Sequence, residues 1–437
     1  MSPLIEFSVL ALLFVVTFVS SAASSRARNF VVPFVVGITT GLFAVQLANI
    51  HVFTPIVIAW FLARAGRREV DLRWSVFALP LACAPVALTV FFGDLVVNPN
   101  LALQLMSFAL CAACIVGAWR ADTHRPLFLG LLTATTASAS LGLLQVAHIV
   151  PTDLWHVEVS ALGRPTGFYP EPDWLGMYAG VGVLLAWRLP LPAKIRILVI
   201  LINLSALVLA FARAAWLGFG VAAAVAVAVW LIQRNHSEPI MGNGQSGRLR
   251  SLFFTLVALV TAVIALPDLR RDLVTRLSST LTAQAGDVSA QARVEQNRTL
   301  SALADSAPWY GHGLSSSGRV GVSGIFYSAQ STNSVASNWA LGLWVDSAWL
   351  SVPLLALITV LLIARIKHIE GSLLLVVLTS SFFSNAFFQP LTWTLLAVTL
   401  ATLNRHRDTK RAIDSEATRR LPDRASLSPA MKHRPLR

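Results

Sequence analysis

Three arginines and a pair of carboxylates are the residues of this sequence best placed to do chemistry. Arg164 opens the stretch Gly163-Arg-Pro-Thr-Gly-Phe-Tyr-Pro-Glu-Pro-Asp173, which leads into Trp174 and an apolar run. Arg213 stands in Phe211-Ala-Arg-Ala-Ala-Trp216, between two apolar segments with almost no loop around it. Arg293 lies early in a polar stretch that carries Glu295 and Arg298. A guanidinium presents a planar fork of donors that matches phosphate oxygens two at a time, and a diphosphate calls for several such forks. A charge at the depth of Arg213 is expensive and more often functional than not, with snorkelling to the interface as the blander account. Glu171-x-Asp173 could hold a divalent cation, but no further carboxylate lies near it in sequence. Asp173 after Pro172 also suits the first turn of a helix, where a negative charge favours the dipole.

The elements that must position these residues are membrane spans. Of 437 residues 55% are hydrophobic and only 13% charged, against about 25% charged in a soluble domain. The net charge of +13 could suggest nucleic acid. The basic residues cluster at helix ends and in the tail, however, where they orient helices and meet anionic lipid, so no nucleic-acid partner is expected. Apolar runs long enough to cross a bilayer recur from Leu4–Ser20 to Leu391–Leu403, about 12 in all. Phe30–Ala48 and Val52–Ala63 form either two short spans or a span and a half-helix broken around Asn49 and Pro55. Leu252–Leu266 and Trp339–Ala364 flank the one large polar insertion. The expected fold class is therefore all-α, a polytopic transmembrane helix bundle. Its parts are a first bundle segment (1–267), a large helical loop (268–332), a last bundle segment (333–404) and a basic, disordered tail (405–437).

Basic clusters fall on alternate connections: Arg64–Arg68, Arg120–Arg125, Arg188–Arg196, Arg234–Arg250, Arg365–Lys367 and the tail from Arg405. The positive-inside rule puts these in the cytoplasm, and with them the C-terminus. The large loop and the Arg164–Asp173 turn then face the extracytoplasmic side. Within the loop, Leu266, Leu269, Leu273, Leu277 and Leu281 recur at helical spacing and suggest a surface-lying amphipathic helix. A second helix is expected over Ser289–Ala304, stopped by Pro308. Aromatic residues at the outer face (Trp155, Tyr169, Trp174, Trp309, Tyr310, Trp339) suit an interfacial belt, with sugar stacking as a second role. Cys111-x-x-Cys114 lies inside an apolar run, which favours inert buried thiols over a redox pair. No basic region precedes Leu4–Ser20, so no cleavable signal is expected.

The order of these motifs resembles the O-antigen ligase and Wzy-type polymerase family. The likeness rests on Arg164-Pro-Thr-Gly-Phe followed by Glu-Pro, then Ala-Arg213-Ala-Ala-Trp-Leu-Gly, then Arg293 leading to Pro308-Trp-Tyr-Gly-His-Gly, then Asn338-Trp and Asp346-Ser-Ala-Trp. It covers roughly Pro126 to Leu400. The resemblance implies a GT-C-like glycosyltransferase in a bacterial plasma membrane. Such an enzyme moves an oligosaccharide from a polyprenyl diphosphate to a glycan or lipid acceptor hydroxyl on the extracytoplasmic side. Arg213 and Arg293 would contact the donor diphosphate, with Arg164 assisting. Many family members place a His-Asn pair before the helix after the loop; here Ser331 to Asn338 contains no histidine. The general base therefore falls to Glu171, Asp346 or His312, in that order. No cofactor is needed if arginines carry the charge of the leaving group. The rival reading is a transporter or flippase of lipid-linked glycans. Such a protein keeps ionisable groups mid-membrane, and Asp346 is the main exception in spans that are nearly free of charge.

Overall fold

The computed structural model describes residues 3–42, 46–47, 50–95, 98–151, 164–236, 271, 288–320 and 336–420. The expected span Leu252–Leu266, nearly all of the leucine-rich amphipathic helix, Trp155 and Ser331–Asn333 lie outside them. The helices in chain order are α1 (Pro3–Ala23), α2 (Val32–Gly41), α3 (Phe53–Ala65), α4 (Ala78–Leu88), α5 (Pro99–Ala118), α6 (His124–Val146) and α7 (Pro172–Arg188). They continue as α8 (Ala193–Leu209), α9 (Arg213–His236), α10 (Val288–Ser306), α11 (Trp339–Ser347), α12 (Val352–Arg365), α13 (Ile369–Ser380) and α14 (Pro390–Arg420). The second loop helix is thus present as α10, and α14 runs past the expected span end at Leu403.

Among the described residues five helical stretches are long and apolar enough to cross a membrane: Leu4–Ala23, Trp74–Phe91, Pro99–Ala118, Ala121–Val146 and Trp339–Arg365. Several other expected spans are shorter. The apolar helix α13 has 12 residues and reaches only about 18 Å, against a hydrocarbon core of about 30 Å. The run Phe30–Ala48 is also interrupted. A π-helical turn at Ala27–Val31 feeds α2, which stops at Gly41. An antiparallel two-stranded ribbon then pairs Gln46 with His51 and Leu47 with Ile50, the one departure from an all-helical chain among the described residues. Gln46 and Gln104 both reach the His51 ring, at 3.1 and 3.3 Å, and so fix the ribbon to α5.

Small residues let the helices approach backbone to backbone. A Cβ on Gly37 would lie 2.0 Å from the Leu127 carbonyl oxygen, and one on Gly130 would lie 1.9 Å from that of Phe34. Glycine on both sides of the α2–α6 crossing is what interhelical packing in a bilayer favours.

The two ends of the bundle differ in chemistry. At one end Arg28 and Arg64 both meet the Glu69 carboxylate, at 3.0 and 3.5 Å, and Arg120 donates to the Glu69 carbonyl. Arg405 reaches the Trp119 carbonyl at 3.3 Å, and Asn404 donates to Ser75 Oγ at 2.8 Å. Three of the connections expected to be cytoplasmic, Arg64–Arg68, Arg120–Arg125 and the tail from Arg405, therefore lie side by side. Ser21 and Ala22 join them through Arg28 and Arg67, so α1 begins at the other end. That other end holds the candidate residues: Leu95 and Asn98, entering α5, donate to the carbonyls of His312 and Leu314.

Candidate active site

The Arg164 turn is held from behind by α6. Gln145, 1% exposed, accepts from Thr166 N at 3.0 Å and Gly167 N at 2.8 Å through one amide oxygen. Ser138 Oγ accepts from Phe168 N at 3.0 Å. Gly167 sits at φ +60°, and a Cβ there would meet Ser138 at 2.5 Å, so only glycine fits. Tyr169 stacks on Tyr178 (4.4 Å, 16°) and donates to the Gly41 carbonyl at 2.8 Å. Gln145 is thus neither a site nor a simple interhelical bond: it fastens the turn. Gln145→Leu would strand two buried N–H donors. The expected loss is roughly 2–4 kcal/mol, read as a lower melting temperature in detergent.

The turn delivers Arg164 to Asp173. Its Nη2 donates to Asp173 Oδ1 at 2.7 Å, while its Nε donates to the Ala210 carbonyl at 2.8 Å. Arg293, arriving on α10, donates to the other oxygen, Asp173 Oδ2, at 2.9 Å. One carboxylate therefore orients two guanidinium forks. Asp173 and Arg164 are mostly buried, whereas Arg293 keeps 30% of its side chain exposed. Burial alone would raise the Asp173 carboxyl, but the charges and hydrogen bonds of Arg164 and Arg293 more than offset it and hold it below the usual range. Asp173 does not stand ready for a metal, because each oxygen is engaged by a guanidinium.

Arg213 is the first residue of α9, directly after the tight turn whose Ala210 carbonyl Arg164 caps. Phe211 in that turn adopts φ +48°. Gly176 on α7 fits against the same turn, since a Cβ there would come within 2.9–3.4 Å of Ala215, Ala212 and Ala210. The start of α7 and the start of α9 are thereby locked together, which places the Arg213 backbone beside the Arg164–Asp173 pair. Glu171 caps α7 with extended backbone and keeps its side chain exposed. The protein packed on its inner side, and the neighbouring Asp173 carboxylate, push its carboxyl above the usual range, opposed by Arg293 and Arg164.

Asp346 and His312 belong to a second cluster. Asp346, 3% exposed, accepts from Ser315 N at 3.2 Å and Ser317 N at 2.7 Å. Its own carbonyl accepts from Gly313 N, and that of Val345 from His312 N, both at 2.9 Å. Gly311 lies at φ +80°, where a Cβ would overlap Ser347 N at 2.4 Å. This carboxylate is the anchor on which the Gly311–Ser317 loop is wound. His312 is engaged at both ring nitrogens, Nδ1 with Asp94 Oδ1 at 2.9 Å and Nε2 with the Leu303 carbonyl at 3.1 Å. Neither residue presents a free oxygen or nitrogen pair as Glu171 does. Ten residues of α10 separate Arg293 from Leu303, about 15 Å along the axis, so the helix joins the two clusters.

Asp173, which after Pro172 also suits a helix cap, is the carboxylate that joins the two arginines. Asn338 caps α11 by accepting from Leu341 N at 3.2 Å. The aromatics divide: Tyr169 and Trp339 are buried, while Trp309 is 65% exposed. Cys83, Cys111 and Cys114 are free thiols.

Comparison with known proteins supplies one further observation. Residues 197–346 match the O-antigen ligase family. The resemblance read from the motifs is borne out over that stretch. The matched segment starts within α8 and ends at Asp346, so Arg213, Arg293 and His312 fall inside it. Arg164, Glu171 and Asp173 precede it and reach it through the Arg293 ion pair and the Ala210 hydrogen bond. No curated protein and no solved structure matches the chain. Together the apolar helices and the match to the O-antigen ligase family indicate a multi-pass membrane protein with a glycosyltransferase-like role.

Proposed function

We propose that the protein transfers an oligosaccharide from a polyprenyl diphosphate to an acceptor hydroxyl at the extracytoplasmic face of a bacterial plasma membrane. The observation that carries this reading is the Arg164–Asp173–Arg293 cluster beside the Arg213 turn, at the bundle end away from the basic connections. The positive-inside rule makes those basic connections cytoplasmic, the Arg234–Arg250 stretch and the C-terminus with them, in a bundle of about 12 spans.

In the reaction the acceptor oxygen attacks the anomeric carbon as its bond to the diphosphate oxygen breaks. The departing diphosphate gains negative charge, and arginine forks already oriented in a partly dry cleft stabilise it without reorganising. Asp173 keeps Arg164 and Arg293 aimed until the diphosphate competes for them. The acceptor proton passes to Glu171, the carboxylate on the cluster's exposed rim.

Glu171 supplies the test by pH. Because its carboxyl is raised above the usual range, it stays protonated to higher pH than an ordinary glutamate and accepts a proton only above that point. Transfer by the purified protein is therefore expected to climb with pH through the raised pKa. Glu171→Gln should abolish that limb and lower the rate about 10²–10⁴-fold. An unchanged pH profile in the glutamine variant would remove Glu171 from the mechanism.

A further inference from the structure

Four buried polar atoms lie on the connection between α13 and α14 and on the start of α11, which packs against it. They are Trp339 Nε1, Ser384 Oγ and both Nε2 and Oε1 of Gln389, and none has a hydrogen-bond partner among the described residues. The three residues are 6%, 7% and 2% exposed. Buried polar groups are nearly always satisfied, and an amide unsatisfied at both ends is a cost the fold would not carry without return. The surrounding packing is otherwise well made. Trp339 stacks on Phe387 (5.6 Å, 16°), its backbone N–H donates to the Ser381 carbonyl at 3.2 Å, and Asn385 Nδ2 donates to the Ala336 carbonyl at 2.8 Å.

This knot adjoins the arginine turn. Ser380 Oγ donates to the carbonyl of Ala214, the residue after Arg213, at 3.3 Å. Gly218, one turn further along α9, lets Ser380 approach, since a Cβ there would meet its Oγ at 2.3 Å. The unsatisfied groups are all uncharged: an indole N–H, an amide donor, an amide acceptor and a hydroxyl that can do either. A neutral set of this kind suits hydroxyl groups rather than phosphate oxygens, for which the arginines are present. Aromatic walls such as Trp339 and Phe387 add an apolar face.

We propose that Gln389, Ser384 and Trp339 form a subsite that binds hydroxyls of the acceptor sugar next to Arg213. This rests on the glycan-transfer reading above and adds to it the place of the acceptor. The residues bind and orient the acceptor; none of them takes its proton.

The test uses Gln389→Leu in the full chain, in cells that make both the polyprenyl-diphosphate glycan and its natural acceptor. Transferred glycan is expected to fall at least tenfold while the lipid-linked glycan accumulates. Binding of the polyprenyl-diphosphate glycan to the purified variant should stay at the wild-type level. The melting temperature should hold or rise, because an apolar side chain of similar size replaces an unsatisfied amide. Ser384→Ala, a smaller change, should show the same pattern and carries the test if the leucine variant expresses poorly. Wild-type transfer in both variants would overturn the proposal, as would loss of donor binding, or a fall in melting temperature without loss of transfer. If wild-type protein itself binds no polyprenyl-diphosphate glycan, the glycan-transfer reading fails instead, and the two failures are told apart.

Discussion

Arg293→Ala is expected to lower glycan transfer by about 10²–10³-fold. Arg293 is the most exposed of the paired guanidiniums in the cluster, with 30% of its side chain open, so an incoming anion can reach it. Its single ion pair, to Asp173 Oδ2 at 2.9 Å, is shared with Arg164 on the other oxygen. Removing it leaves Asp173 still paired, so the melting temperature should fall by no more than a partly exposed ion pair costs, about 1 kcal/mol. The combination of a large rate loss and a small stability loss marks a residue whose main work is on the substrate. Arg293→Lys keeps the charge but not the fork, and should recover only part of the activity. If alanine costs stability but not transfer, Arg293 is a packing residue. Steady-state transfer and thermal melting on the same preparation read both quantities.

Asp346→Ala is expected to act in the opposite sense, with a large loss of stability. Its carboxylate satisfies two buried backbone N–H groups, of Ser315 and Ser317, and the loop they belong to carries His312 and seals against Thr89 and Asn98. Stranding those donors should cost roughly 2–5 kcal/mol, seen as a lowered melting temperature and reduced yield. Asp346→Asn keeps one acceptor oxygen but sets an NH2 donor against the second N–H, so it should lose less stability than alanine, and the protein that folds should retain transfer. Were Asp346 the proton acceptor, asparagine would be as inactive as alanine, so the pair of variants separates anchor from base.

These two residues also show what the sequence made legible. Arg164, Arg213 and Arg293 stood out because they lie on the connections away from the basic clusters that orient the helices. Their order along the chain was enough to suggest a shared anion. Asp173 and Asp346 were harder to weigh: a carboxylate looks alike in sequence whether it caps a helix, aims an arginine or ties down a loop. Asp346 stood out as a lone charge in an apolar run, yet its partners are backbone N–H groups 29 and 31 residues away, which no side-chain pattern encodes. Likewise the glycines that flank His312 serve the backbone. Gly311 and Gly313 take positive φ, and the imidazole is fixed by Asp94 from another part of the chain. Helix positions were easier to read than helix lengths. Apolar runs located α4 to α8, whereas the stops at Gly41 and Ser380 come from tertiary packing, such as the ribbon tied to His51 and the Ser380 contact with α9.

The measurement that bears most directly on the proposed reaction follows a labelled glycan on a polyprenyl diphosphate, with the wild-type protein in vesicles that also contain the cell's own acceptor lipids. The expected result is label appearing on an acceptor with stoichiometric release of polyprenyl diphosphate, and loss of both in the Arg293→Ala protein. One glycan per acceptor would indicate a ligase, and a ladder of products a polymerase. Label that crosses the bilayer while still attached to its original lipid, with no diphosphate released, would contradict the account and favour a flippase.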